Sequence, residues 1–262
     1  MDIFVKNKRK ILLGAAGFIF VCFECIMFYL IHFERSQSGF SLHYATIIAA
    51  TLFSWLVLII EVFTAREAGE NIKEILLSKS NGNLIRIAML FTLVADYFLV
   101  AMEKANNLAG VTVFIGTQVF IFLHIIAIDR NSRWRAANVI TRIALCVILI
   151  IAVGLILGRD TDPLSIISVI YYSNLLANAI FAHRTGRGGI MLTIGLILFA
   201  LCDINVGLSG LESIYGGGFP EGSLLYKIRN SDVDLIWLFY IPSQTLIPLS
   251  LLLKNKEAKT QE

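Results

Sequence analysis

The sequence predicts an all-α fold: a polytopic membrane helix bundle of eight transmembrane helices with both termini cytoplasmic. Composition is the first reason, since 57% of the 262 residues are hydrophobic, only 16% are charged and the mean hydropathy is +0.76. Soluble domains carry about 25% charged residues, so this balance belongs to a chain whose solvent is largely lipid. The second reason is length, because eight apolar stretches reach or approach the ~20 residues that span a hydrocarbon core. The third is placement, with most charges gathered in short gaps between those stretches. Nothing is left over for a soluble domain, so residues 1–262 form a single integral membrane domain.

The first stretch, 11–31, follows Lys6, Lys8, Arg9 and Lys10. Such a start resembles a signal peptide, but the apolar run is too long and no small-residue cleavage site follows, which predicts a retained helix. Residues 42–65 form the second. The gap after it, 66–83, sets Ile72, Ile75, Leu76 and Leu77 among polar residues and predicts a short amphipathic helix lying at the interface. The third and fourth, 84–102 and 109–128, are joined tightly, as are the fifth and sixth, 138–158 and 164–182, the last opening at Pro163. The seventh covers 189–211. A gap holding Gly216, Gly217, Gly218 and Pro220 then predicts a flap over the external mouth, before the eighth helix, 233–253, which contains Pro242 and Pro248.

Eight crossings put both termini on one side, and Lys and Arg counts say which side that is. The N-terminus, the C-terminal tail and the gaps after the second, fourth and sixth helices hold 15 basic residues, against 5 in the other four gaps. Both ends are therefore expected in the cytoplasm. The net charge of +3 is then a topology signal at the membrane rim, with anionic lipid headgroups as its partners and no nucleic acid implied. Cys22, Cys25, Cys146 and Cys202 all fall inside helices, where a thiol behaves as a small apolar side chain, and no disulfide framework is implied. Cys22 and Cys25 make a CxxC without a second ligand pair, a poor zinc site.

Asp96 and Asp203 interrupt the third and seventh stretches. A carboxylate near the bilayer centre costs roughly 2.5–3.5 kcal/mol on insertion scales, so two of them point to an interior site where they act. Counted at about 1.5 Å per residue, Asp96 stands about 18 Å and Asp203 about 21 Å from the cytoplasmic ends of their helices, at a shared level. Glu24, at about 20 Å, joins them, and Gln118, Tyr171, Tyr172, Asn174, Tyr240 and Gln244 enter the same belt from returning helices. No Lys or Arg is expected to pair with the two aspartates at that depth, so one of them is expected to hold a proton. Interhelical hydrogen bonding explains Asn, Gln and Tyr equally well, but not two aspartates.

Two common hydrolase chemistries lack their parts. His32 and His43 flank the first external gap while His124 and His183 lie near cytoplasmic ends, so the imidazoles do not converge on a metal, and none is predicted. Ser165, Ser168, Ser173, Ser209 and Ser243 have no histidine at their depth to serve as base. No nucleotide-binding glycine pattern occurs and no cofactor is expected. A two-carboxylate mechanism remains.

Four motifs then carry a resemblance: Leu93-Val94-Ala95-Asp96-Tyr97-Phe98-Leu99, Gly116-x3-Phe120-x3-His124, Leu198-Phe199-Ala200-Leu201-Cys202-Asp203, and Phe239-Tyr240-x3-Gln244-x-Leu246-Ile247. Together, from the third helix to the eighth, they resemble the YhhN-like lysoplasmalogenase family. The family usually has Gly before the first Asp and Ser before the second, where Ala95 and Cys202 stand here, and a Tyr after the histidine, where Ala127 stands. The resemblance implies an eight-helix enzyme with two essential aspartates, Asp96 and Asp203, that hydrolyses the vinyl ether bond of lysoplasmalogens. One aspartate would act as general acid, protonating carbon; the other would stabilise the oxocarbenium-like cation and activate water, as carboxylate pairs do in glycosidases. The implied partner is a lysophospholipid entering sideways from the bilayer, and the products a fatty aldehyde and glycerophosphoethanolamine or glycerophosphocholine.

Tyr240, Gln244, Asn174 and Tyr171 are candidates to hold water or the glycerol hydroxyl. Gln118 and Glu24 are further members of the belt, and His124, near the cytoplasmic end, is a candidate for headgroup contact or helix positioning. A proton-coupled transporter using the same aspartates as a relay is the alternative, and it would favour broken helices. Prolines occur only at the start of the sixth helix and within the eighth among these spans, and glycines are missing from the third and sixth, which favours a rigid catalytic bundle. Short loops and the lack of an Asn-x-Ser/Thr site point to a bacterial cytoplasmic membrane, with the endoplasmic reticulum as alternative.

Overall fold

A computed structural model describes residues 2–33, 39–73, 76, 80–102, 104–129, 131–215, 219–229, 231 and 233–253. Helices run as α1 (Asp2–Phe33), α2 (Gly39–Glu67), α3 (Ser80–Asp96), α4 (Asn107–Ile128), α5 (Ser132–Leu157), α6 (Pro163–Ala182), α7 (Arg187–Tyr215), the short α8 (Leu224–Arg229) and α9 (Leu235–Leu249). No strand occurs among the described residues. Eight helices are long and apolar enough to cross a membrane, with α9 supplying the eighth span.

The helices outrun the apolar stretches at several ends, and polar residues cap four of their starts. Asn106 accepts from the Ala109 amide at the start of α4, Asn131 from Arg133 and Trp134 at α5, Asp162 from Ser165 at α6, and Asp234 from Ile236 and Trp237 at α9. Each satisfies amides that a helix start leaves without partners. At α6, the Ser165 hydroxyl and amide, both donating to Asp162, hold that exposed carboxyl below its ordinary pKa. The helix start at Pro163 fits the ring's fixed φ. In the gap after α2, Ile72 and Leu76 are helical and exposed, while Ile75 and Leu77 lie outside the residues described; so do Gly216, Gly217 and Gly218 of the expected flap.

Contacts at the two ends fix an alternating up-and-down arrangement. At the face holding both termini, Lys8 pairs with Glu67 at 2.7 Å, Arg9 with Glu61 at 2.8 Å, and the 3₁₀ turn Ser250–Leu252 after α9 lies beside Gly17 and Gly82. At the opposite face the His43 ring lies tilted against Trp237 with ring centroids 3.9 Å apart and the Tyr44 hydroxyl donates to the Leu93 carbonyl. The first turns of α1 and the turn after α9 thus meet one face.

Lipid tails are as apolar as leucine, so burial alone does not hold such helices together; close approach and polar bonds must. Small residues provide the approach. A Cβ on Gly116 would meet the Phe91 ring at 2.3 Å, and one on Gly189 would lie 2.1 Å from the Ala182 carbonyl oxygen. The Gly116, Phe120, His124 motif is thereby explained as the α3–α4 seam: Phe91 fits over Gly116, its ring centroid lies 5.2 Å from that of Phe120, and a His124 ring nitrogen is bonded to the Asn81 carbonyl at 2.6 Å. Beneath α2 and α3, Arg86 is 1% exposed, donates to Ser54 and Asn83, and stands 3.9 Å from Glu61. The outlier is α5, whose most apolar window has no buried residue and which leans chiefly on α6.

One expectation is corrected. The third span is not one regular helix: the α-helical pattern stops at Asp96 and Tyr97–Ala101 continues as a π-helical segment, closed by the Met102 amide donating to the Tyr97 carbonyl at 3.0 Å. Glycine and proline signals miss such a change because it needs neither; the five residues are Tyr, Phe, Leu, Val and Ala. Asp96 and Asp203 each follow the start of their helix by 16 residues, about 24 Å, and so share a level; about 8 Å of the π segment follows Asp96 and about 18 Å of α7 follows Asp203.

Candidate functional site

Asp96 is 2% exposed and accepts a hydrogen bond from the Tyr240 hydroxyl of α9, itself 4% exposed. Asp203 of α7 is half-buried and accepts from the Tyr171 hydroxyl of α6 at 2.6 Å. Each carboxyl therefore has its own phenol, delivered by a returning helix. Tyr171 and Tyr240 both lie edge-on to Phe199, with ring centroids 6.4 and 5.3 Å away, so the two carboxyl–phenol pairs flank one ring. Asp96, Asp203, Tyr171 and Tyr240 thus form one site.

Aromatic rings wall it. Phe199, one turn before Asp203, meets Tyr240 at 5.3 Å edge-on and Phe114 at 5.5 Å, while Phe114 also meets Tyr171 at 5.5 Å. Trp237 closes the side toward His43, its ring 5.4 Å from Tyr240. Such packing fixes both phenol rings and keeps the hydroxyls aimed. The α-to-π junction falls at Asp96 itself, and π segments recur at functional sites because they redirect a side chain locally.

A scan against family models supplies the comparison: the YhhN family model matches residues 54–251. The chain belongs to the YhhN family. Its matched region begins in α2 and takes in both aspartates, both tyrosines and the α3–α4 seam. No curated protein and no solved structure matches the chain.

The other residues singled out from sequence divide into three groups. Gln244 stands one turn beyond Tyr240 on α9, 1% exposed, with neither end of its amide bonded among the described residues; Ser243 beside it is likewise unpartnered. Glu24 is 3% exposed with both carboxyl oxygens unpartnered, and bonds to neither aspartate. A Cβ on Gly17 would lie 2.9 Å from Leu252, which sets the α1–α9 register and puts Glu24 level with Ser243 and Gln244, about one turn from Tyr240 toward the termini.

The second group is a separate polar cluster. Gln118 accepts from the Asn178 amide at 2.9 Å, and Asn174 and Asn178 accept in turn from Arg142 of α5 at 2.7 and 2.5 Å. Neither Gln118 nor Asn174 bonds either aspartate. Third, His124 belongs to the α3–α4 seam at the terminal face, far from the carboxyls. The histidines are dispersed, His32 bonding the Phe28 carbonyl at 3.0 Å and His183 the Ile180 carbonyl at 2.8 Å. Among the described residues no three His, Cys, Asp or Glu side chains gather as a metal site.

Sequence reading missed Tyr44, which lies within the electrostatic reach of Asp96, and the Trp237 and His43 pair. Aromatic residues near a helix end read equally as interfacial anchors. It also passed over Arg142. That residue lies ten positions into α5, because the helix begins at Ser132 and not at 138.

Proposed function

We propose that this YhhN family protein is a membrane-embedded lysoplasmalogenase-like hydrolase, in which Asp96 and Asp203 share acid and base duties on a vinyl ether. The observation that carries the reading is the pairing of two buried or half-buried carboxyls in one aromatic-walled site, each held by a tyrosine.

The chemistry needs those parts. A carboxylic acid gives its proton to the outer vinyl carbon, leaving an oxocarbenium ion on the carbon bonded to oxygen. The second carboxylate faces that cation and takes a proton from the water that adds to it. The hemiacetal so formed collapses with return of one proton to the glycerol oxygen, giving a fatty aldehyde and glycerophosphoethanolamine or glycerophosphocholine, with no net proton consumed. Aromatic walls suit the cation and the chain alike. Tyr240 and Tyr171 hold the carboxyls in orientation, and Gln244, one turn away with a free amide, is placed to bind the water or the glycerol hydroxyl. The substrate is a lysophospholipid taken from the bilayer, with a bacterial cytoplasmic membrane as the setting that short loops favour.

A proton-coupled transporter using the same carboxyls as a relay is favoured by one observation, the break from α to π geometry at Asp96 beside a helix with two internal prolines. One assay separates the readings. Purified protein and its Asp96→Asn and Asp203→Asn variants are incubated with lysoplasmalogen and with the matched alkyl ether lysolipid, and released aldehyde is measured. Aldehyde from the vinyl ether alone, lost in both folded variants, supports the hydrolase; none from folded wild-type protein removes it and leaves transport.

A further inference from the structure

Of the 22 Lys and Arg residues, only Arg86 and Arg142 lie within the eight apolar stretches of the sequence, the other 20 falling in the gaps and tails between them. Arg86 has Glu61 beside it. Arg142 has no carboxylate partner among the described residues. Its Nε donates to Asn138 at 2.9 Å, Nη1 to Asn174 Oδ1 at 2.7 Å and to its carbonyl at 3.5 Å, and Nη2 to Asn178 at 2.5 Å. Its guanidinium also lies 4.1 Å over the Phe122 ring. All four acceptors are neutral. Three asparagines and a phenylalanine orient the fork, yet none supplies the negative charge that a cation at this depth lacks.

From this we infer that Arg142 is the phosphate subsite for the single-chain lipid, resting on the hydrolase reading given above. Tyr171, Asn174 and Asn178 share one stripe of α6, at i, i+3 and i+7. Arg142 is thus bonded about 4.5–10.5 Å along α6 from the phenol that holds Asp203. In a lysoplasmalogen the vinyl ether carbon and the phosphorus are separated by about six covalent bonds, roughly 7 Å when extended. A phosphate on Arg142 therefore sets the vinyl ether at the carboxylates. Arg142 and Asn174 are both half-buried, and α5 is the helix least enclosed by the bundle, so the cluster stands toward the side of the bundle that α5 covers. A planar fork binds phosphate through two parallel bonds, which a lysine cannot copy.

The subsite also gives the lipid a direction. Arg142 lies on the terminal side of the aspartates, so the headgroup points toward the face that holds the termini and the chain toward the opposite face. On α5, Asn138, which accepts from Arg142, lies one turn closer to that terminal face. Substrate would come from the leaflet at the terminal face.

The test measures binding, so that it does not depend on turnover. Full-length protein in detergent is titrated with an alkyl ether lysophosphatidylethanolamine, which is not cleaved, and with the matching alkylglycerol, which lacks phosphate. Wild-type protein is expected to bind the first at least 10-fold more tightly, Arg142→Gln to bind both alike, and Arg142→Lys to fall between. Asn174→Asp places a carboxylate against the guanidinium and is expected to cost the phosphate lipid at least 10-fold while leaving alkylglycerol unchanged. Competition by inorganic phosphate without competition by the lipid would reassign the site to a free anion and overturn the lipid subsite. Equal binding of the two lipids by wild-type protein, or an Asn174→Asp variant with a raised thermal midpoint and unchanged binding, would make Arg142 an interhelical tether and overturn it too. Should wild-type release no aldehyde yet discriminate through Arg142, the reaction falls and the subsite stands; should aldehyde form with the same KM in Arg142→Gln, the subsite falls alone.

Discussion

Replacing Tyr240 with phenylalanine isolates one bond of the candidate site. The hydroxyl donates to Asp96, whereas the ring is held separately, edge-on to Phe199 at 5.3 Å and to Trp237 at 5.4 Å, and is 4% exposed. Phenylalanine keeps both ring contacts and opens no cavity, so the change is confined to the oxygen. A hydrogen bond to a charged group is worth about 1.5–3 kcal/mol. If Tyr240 holds Asp96 in its reactive orientation, that energy is lost where the carboxyl acts, and at about 1.4 kcal/mol per decade kcat falls roughly 10- to 150-fold. KM should change little, since the phenol touches the carboxyl and not the lipid chain. Aldehyde release from lysoplasmalogen over a range of substrate gives both constants, and thermal unfolding in the same detergent shows that the variant is folded. A folded Tyr240→Phe protein with kcat within twofold of wild type would refute the reasoning, because Asp96 would then be oriented by something other than its one recorded hydrogen bond. A large loss of stability would refute it differently, by making the bond a structural tie.

Other outcomes follow from the same geometry. Tyr171→Phe should lower kcat by a similar factor through Asp203, and the double Tyr171→Phe, Tyr240→Phe variant should lose more than either, measured by the same aldehyde assay. Asp96→Asn and Asp203→Asn should each abolish measurable turnover while leaving a folded, monodisperse protein on gel filtration. Gly189→Ala forces a methyl to 2.1 Å from the Ala182 carbonyl oxygen, a backbone atom that cannot swing away, so it should lower stability by about 1–3 kcal/mol in detergent unfolding. Gly14→Ala, with nothing within 4 Å of the added methyl, is the matched control and should be neutral or mildly stabilising.

The architecture was legible because membrane insertion is governed by apolar length and basic flanks, both written linearly in the chain. Asp96 and Asp203 stood out for the same reason: a carboxylate within such a stretch is costly wherever the neighbouring helices lie. What surrounds them was less legible. The tyrosine that reaches Asp96 comes from α9, 144 positions away, and the one that reaches Asp203 from α6, so both pairings depend on which helices adjoin. The polar cap Asn131 carries α5 beyond its apolar segment, which hid how far Arg142 lies inside that helix. Gln118 and Asn174 shared the right composition with the site but face a different cluster, since composition fixes a level and not an azimuth.

The π segment after Asp96 has a consequence for how this region can change through evolution. A turn bonded from i to i+5 takes in one residue more than a regular turn, so Tyr97–Ala101 holds a surplus of one position relative to an unbroken helix. Substitutions leave that surplus untouched. Loss of a single codon there would restore the regular ladder and turn every following side chain of the segment by about 100°, swinging Leu99 off Gly110 and changing how α3 hands the chain to α4. A one-residue shortening after the first aspartate would therefore mark a bundle whose α3–α4 turn is built differently.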